Sequence, residues 1–141
     1  MSTWKMMISL PTEFKDWTVL CTGETEAETF IEDDFISHVF SHRSFVLPMS
    51  TFAIAIGHWT IKPLPTDDGP VVRFIGHERI INNNIGDMFR YVPTSLSVAQ
   101  RYLGDYPLPR LDIVIVHRSF SGLGLASPHL LFLSPRLKIL F

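Results

Sequence analysis

The clearest regular pattern in the chain lies between Thr51 and Thr60, where Phe52, Ile54 and Ile56 alternate with Ala53, Ala55 and Gly57. Successive side chains of a strand face opposite ways, so this spacing predicts a strand whose bulky side packs and whose small side allows close approach. Asp16 to Thr22, closed by Gly23, and the run from Phe35 through Ile36, His38 and Val39 into Phe40 also favour strands. Pro63, Pro65, Asp67, Asp68, Gly69 and Pro70 then interrupt every regular pattern. Beyond them Val71 to Ile81 reads as a strand and Asn82 to Gly86 as a turn or loop. Thr94 is placed to cap a helix ending at Leu103, with Leu96, Ala99 and Leu103 at helical spacing and Gly104 stopping it. Leu111 to His117 is an apolar, β-branched run interrupted only by Asp112, as a central strand requires, and Leu130 to Leu133 is a further short strand. The predicted fold is mainly β with an α+β C-terminal part. It divides into an all-β module over residues 1–69 and a strand-helix-strand module over residues 70–141.

Charge supports the same division. Residues 1–70 hold 4 Lys and Arg against 10 Asp and Glu, whereas residues 71–141 hold 8 against 4. The basic residues of the second half are scattered, which argues against a nucleic-acid partner. No apolar stretch approaches a membrane span, and no basic-then-apolar N-terminal segment marks a secretion signal. The one cysteine, Cys21, cannot form an intrachain disulfide and reads as an apolar filler in a reducing, cytoplasmic setting. Both ends are apolar, with Trp4, Met6, Met7, Ile8 and Leu10 near the start and Ile139, Leu140 and Phe141 at the finish. Termini are usually polar and solvated. The chain is therefore expected to be an internal piece of a larger protein, with apolar edges available for protein-protein contacts.

Candidate chemistry is sparse. His77-Glu78 begins like the His-Glu-x-x-His pattern of zinc peptidases, in which two histidines four apart share a helix face, but the second position is Ile81. With Ile75, Ile80 and Ile81 around it, the segment also favours a strand over a helix. His38 and His42 have the four-residue spacing but lie in strand-like sequence, which holds them roughly 13 Å apart, too far for one metal. Ser119, Ser121 and Ser127 form no nucleophile elbow. Ser121-Gly-Leu-Gly-Leu-Ala-Ser127 lacks the third glycine of a dinucleotide fingerprint, and reads better as a loop after a central strand, where Gly122 and Gly124 let backbone approach a ligand or a neighbouring strand. No catalytic residue and no metal ligand can be assigned.

Two stretches together resemble the gluzincin aminopeptidases. Ser50-Thr-Phe-Ala-Ile-Ala-Ile-Gly-His-Trp59, introduced by Val46-Leu-Pro-Met49, is similar to the last strand of that family's N-terminal β-domain. Asp112-Ile-Val-Ile-Val116, followed by Ser119 to Pro128 and Leu131-Phe-Leu-Ser134, resembles the strand and exopeptidase loop that precede its zinc helix. The resemblance runs from about Met7 to Pro135. It implies a β-saddle remnant over residues 1–69 and the first strand-helix-strand part of a thermolysin-like domain over residues 70–141. It also implies a parent reaction, zinc-dependent hydrolysis of N-terminal residues from peptide substrates, in a cytoplasmic or nucleolar protein. The substrate-binding residues it implies are Gly122, Gly124, Leu125, Ala126 and Ser127. The family's loop reads Gly-Ala/Gly-Met-Glu-Asn, and the glutamate that binds the peptide's α-ammonium falls on Ala126, which offers no charge. The zinc helix would lie beyond the C-terminus, so no cofactor is expected on this chain although zinc is expected for the full-length parent. An inactive fragment is the expected state, and a noncatalytic interaction module is the alternative.

Overall fold

The computed structural model describes residues 2–23, 28–65, 69–83 and 86–136. Asp67, Asp68 and the apolar finish Ile139 to Phe141 lie outside the described residues. The chain is mainly β and divides into two compact units, residues 1–58 with 127–130 and residues 59–126 with 131–141.

In the first unit β1 (Ser2–Pro11) and β3 (Glu28–Glu32) flank β4 (Phe35–Leu47), both antiparallel to it. Along β1, Trp4, Met6, Ile8 and Leu10 pack on the core of Val19, Cys21 and Phe40, while Met7 between them is 63% exposed. The apolar start of the chain is thus a one-sided strand. A separate antiparallel pair joins β2 (Thr18–Cys21) to β5 (Ile54–Gly57). In β5 the small residues Ala55 and Gly57 are buried, Ile56 is half-buried and Ile54 is 47% exposed. The expected faces are therefore reversed for Ile54. Phe52, just before the strand, instead packs on Trp4 with ring centroids 4.0 Å apart.

In the second unit the sheet order is β6-β7-β8-β10-β9, where β6 is Thr60–Leu64, β7 Val71–Gly76, β8 Arg110–Ile115, β9 Gly124–Ser127 and β10 Leu130–Leu133. β6 and β7 pair antiparallel across the proline-rich punctuation. β7 and β8 are parallel, and the chain between them forms α1 (Glu78–Asn83) and α2 (Gly86–Leu103). Leu64, Val72, Phe74, Ile81, Ile113 and Ile115 form the core, with Ile80, Val92 and Leu96 packed against it.

Three expectations are corrected here. The predicted strand to Ile81 stops at Gly76, and the segment beginning at Glu78, expected to disfavour a helix, is helical. Intrinsic helix preferences among ordinary residues differ by less than about 0.7 kcal/mol, whereas burying an isoleucine contributes about 1.5–3 kcal/mol, and Ile81 is fully buried. The turn or loop expected over Asn82 to Gly86 does not hold at its two ends, because Asn82 and Asn83 belong to α1 and Gly86 opens α2; residues 84–85 lie outside the described residues. The second helix starts at Gly86, not at a Thr94 cap, and carries Pro93 in its interior. Proline lacks an N–H and crowds the preceding turn; Val92 and Leu96, four residues apart, anchor the same face on the core and hold the helix through that defect. Its end is where the sequence places it: Gly104, at φ +87°, donates its N–H to the Gln100 carbonyl at 2.9 Å.

Candidate functional site

The residues singled out by sequence, Gly122 to Ser127, are not all loop. Gly124 to Ser127 form β9, the outermost strand of the sheet beside β10. Gly124 suits this position because an added Cβ would lie 3.1 Å from the Phe132 carbonyl oxygen and 3.3 Å from Leu133 Cδ2. Just before it, the Leu123 carbonyl accepts from the Ser134 N–H at 2.9 Å. Gly122 is half-buried, whereas Leu123 and Leu125 are 59% and 55% exposed and Ala126 is exposed. An outer strand presents backbone N–H and C=O groups that an extended peptide can pair with. Ala126 adds only a methyl group there.

Ser127 is committed elsewhere. Its hydroxyl donates to the Thr51 carbonyl at 2.6 Å, and its Oγ lies 2.6 Å from the Thr22 hydroxyl. The Ala53 N–H donates to Thr22 Oγ1 at 3.0 Å. A serine has one proton and a carbonyl has none, so the direction is set: Ala53 N–H to Thr22, Thr22 O–H to Ser127, Ser127 O–H to Thr51. Thr22 is fully buried. Sequence reasoning missed it, since nothing local distinguishes a threonine at a strand end from a partner to a residue 105 positions away.

A second missed group surrounds Asp112, which is fully buried. Arg73 Nε and Nη2 donate to its two carboxylate oxygens at 2.7 and 2.8 Å, and Arg110 Nε donates at 2.9 Å. Arg73 and Asp112 are register partners on β7 and β8. The signal was visible in part, because a lone acid in an apolar run must find a cationic partner. Burial, and then the charge of Asp112, push the Tyr106 hydroxyl above its ordinary range.

The remaining titratable residues favour no metal centre. Cys21 is buried, its Sγ donates to Met6 Sδ at 3.5 Å, and burial pushes its thiol up to about 11. Burial also lowers the pKa of His38. His42 and His129 are both buried, with ring centroids 6.1 Å apart and the rings edge-on. Zinc needs three or four converging ligands. Among the described residues no three His, Cys, Asp or Glu side chains come together to hold a metal ion, so the donor set present does not fit zinc and no step can be derived through it. Among the same residues no helix is long and apolar enough to cross a membrane.

No family model matches the chain. Its sequence is nevertheless similar to aminopeptidase O over 95% of its length, at 30% identity to the protein from Mus musculus, 28% to that from Homo sapiens and 30% to that from Rattus norvegicus. The chain spans 21% of the length of each of these relatives.

Proposed function

We propose that this aminopeptidase O-like chain is a segment of a zinc aminopeptidase-like protein, contributing a peptide-binding outer strand without the metal centre, and is catalytically inactive by itself. The parent reaction on this reading is hydrolysis of N-terminal residues from peptides. The observation that carries it is the position of Gly124 to Ser127, the residues aligned by resemblance with the family's recognition loop, on the outermost strand of the sheet. There a peptide main chain would pair with the backbone of β9, and the side chains of Leu125 and Ala126 would flank it, while the missing side chain of Gly124 lets β9 itself lie close to β10. With alanine at position 126, the free amine of a peptide would gain no charge-assisted bond on this strand. Purified chain without a histidine tag, dialysed against zinc and assayed on a panel of aminoacyl substrates with and without chelator, tests the inactive state. Chelator-sensitive turnover that follows the protein through purification would refute it.

A second reading, a noncatalytic interaction module, is favoured by one observation: Leu123 and Leu125 place exposed apolar side chains at this same outer strand. Binding of a folded protein at β9, with no affinity for short peptides, would favour this reading over the first.

A further inference from the structure

β7 and β8 run parallel and end level, with Gly76 paired to Ile115. A cavity of about 660 Å³ opens where the chain leaves these two ends, lined by His77, Arg79 and Ile80 after β7, by His117 and Arg118 after β8, and by Trp59. The carboxyl ends of adjacent parallel strands are the places where α/β sheets bind ligands. The polar side chains lining this cavity are two arginines and two histidines, and Glu78, beside His77, is not among them.

The hydrogen bonds fix what the histidines offer. The Arg79 amide N–H donates to His77 Nδ1 at 3.3 Å, and the Ser119 amide N–H donates to His117 Nδ1 at 3.2 Å. Ser119 Oγ also lies 2.9 Å from His117 Nδ1. An amide can only donate, so both Nδ1 atoms are acceptors and each neutral ring carries its proton on Nε2. Each histidine therefore brings an Nε2–H donor, and Arg79 and Arg118 bring permanent positive charge. Two guanidinium groups and two imidazole donors exceed what a singly charged, planar carboxylate uses, and suit a tetrahedral phosphate bearing nearly two charges. Trp59 and Ile80 supply flat and apolar wall, against which a ring gains contact.

We infer that this cavity binds a phosphate monoester carrying a flat ring, with Arg79, Arg118, His77 and His117 on the phosphate and Trp59 against the ring. The inference does not depend on peptide binding at β9. Calorimetric titration of the full chain with phenyl phosphate, inorganic phosphate and benzoate, in the same buffer and salt, tests it. Phenyl phosphate should bind saturably and more tightly than either of the others. Arg118→Ala, at an exposed position, should weaken phenyl phosphate and inorganic phosphate about tenfold or more, the usual loss for a charged hydrogen bond, while Arg101→Ala, outside the cavity, should change neither. Trp59→Leu should weaken phenyl phosphate alone. No saturable binding of phenyl phosphate, benzoate binding as tightly, or equal losses from Arg118→Ala and Arg101→Ala would overturn the assignment. If phenyl phosphate and inorganic phosphate bind equally, the ring half of it fails.

Discussion

The hydroxyls of Thr22 and Ser127 lie 2.6 Å apart and belong to a one-way relay from the Ala53 amide to the Thr51 carbonyl. Thr22→Val keeps the shape of the side chain but takes the acceptor from the Ala53 N–H and the donor from Ser127 Oγ, which keeps its bond to the Thr51 carbonyl. An orphaned buried polar group costs about 1–3 kcal/mol, so urea unfolding of Thr22→Val should show a loss in that range. Because the two hydroxyls share one bond, combining Thr22→Val with Ser127→Ala should cost less than the sum of the single changes. Strict additivity, or a loss within error of zero, would mean the relay is not formed in solution.

Asp112 offers a harsher test, because it sits fully buried between Arg73 and Arg110. Removing one member of such a group strands the others: Asp112→Ala should destabilise the fold by about 3–5 kcal/mol. Replacing Arg73 and Arg110 together with Asp112 by apolar residues should recover much of that loss. Thermal unfolding monitored by circular dichroism would separate these cases, and a near-neutral Asp112→Ala would contradict the buried arrangement.

Helix α1 depends on what it buries, not on its residue preferences. Ile81→Ala should cost about 2–5 kcal/mol, as for other buried isoleucines, whereas Asn82→Ala on its exposed side should fall within about 0.5 kcal/mol of the parent. Similar values for both would place the helix off the sheet.

The Cys21 thiol gives a prediction in pH. Its value in the folded chain is raised from 9.0 to about 11 by burial, so the folded state holds the proton more tightly than the unfolded one. The stability this brings is complete below pH 9 and is lost as pH rises toward 11. At pH 8 alkylation of Cys21 should be far slower in the native chain than in urea. Equal rates in both would show the thiol to be accessible.

These tests fall largely on features the sequence only partly displayed. Gly104 was legible as a helix end because glycine tolerates the positive φ that the end requires. β8 was legible because a buried parallel strand is a continuous apolar run. Helix α1 was not, since local preference pointed to a strand and the burial of Ile81 decided otherwise. Pro93 hid the first half of α2 for a similar reason. At the candidate site, the glycines marked Gly124 correctly as a place of close backbone approach, but its strand character comes from pairing beside β10, and the tie of Ser127 to Thr22 spans 105 residues. The cavity lined by His77 and His117 was equally invisible, because it is the parallel pairing of β7 and β8 that brings the residues following the two strands to one place.

On the proposed reading β9 receives a peptide while the chain itself does not cleave it. One titration measures both halves: isotope-labelled chain, with equimolar zinc, receives a short peptide with a free amino terminus while amide resonances and the peptide's own signals are followed together. The predicted result is movement of the Leu125 and Ala126 amide signals, with the peptide intact throughout. Cleavage of the peptide, reversed by chelator, or amide signals in β9 that stay still at saturating peptide, would contradict it.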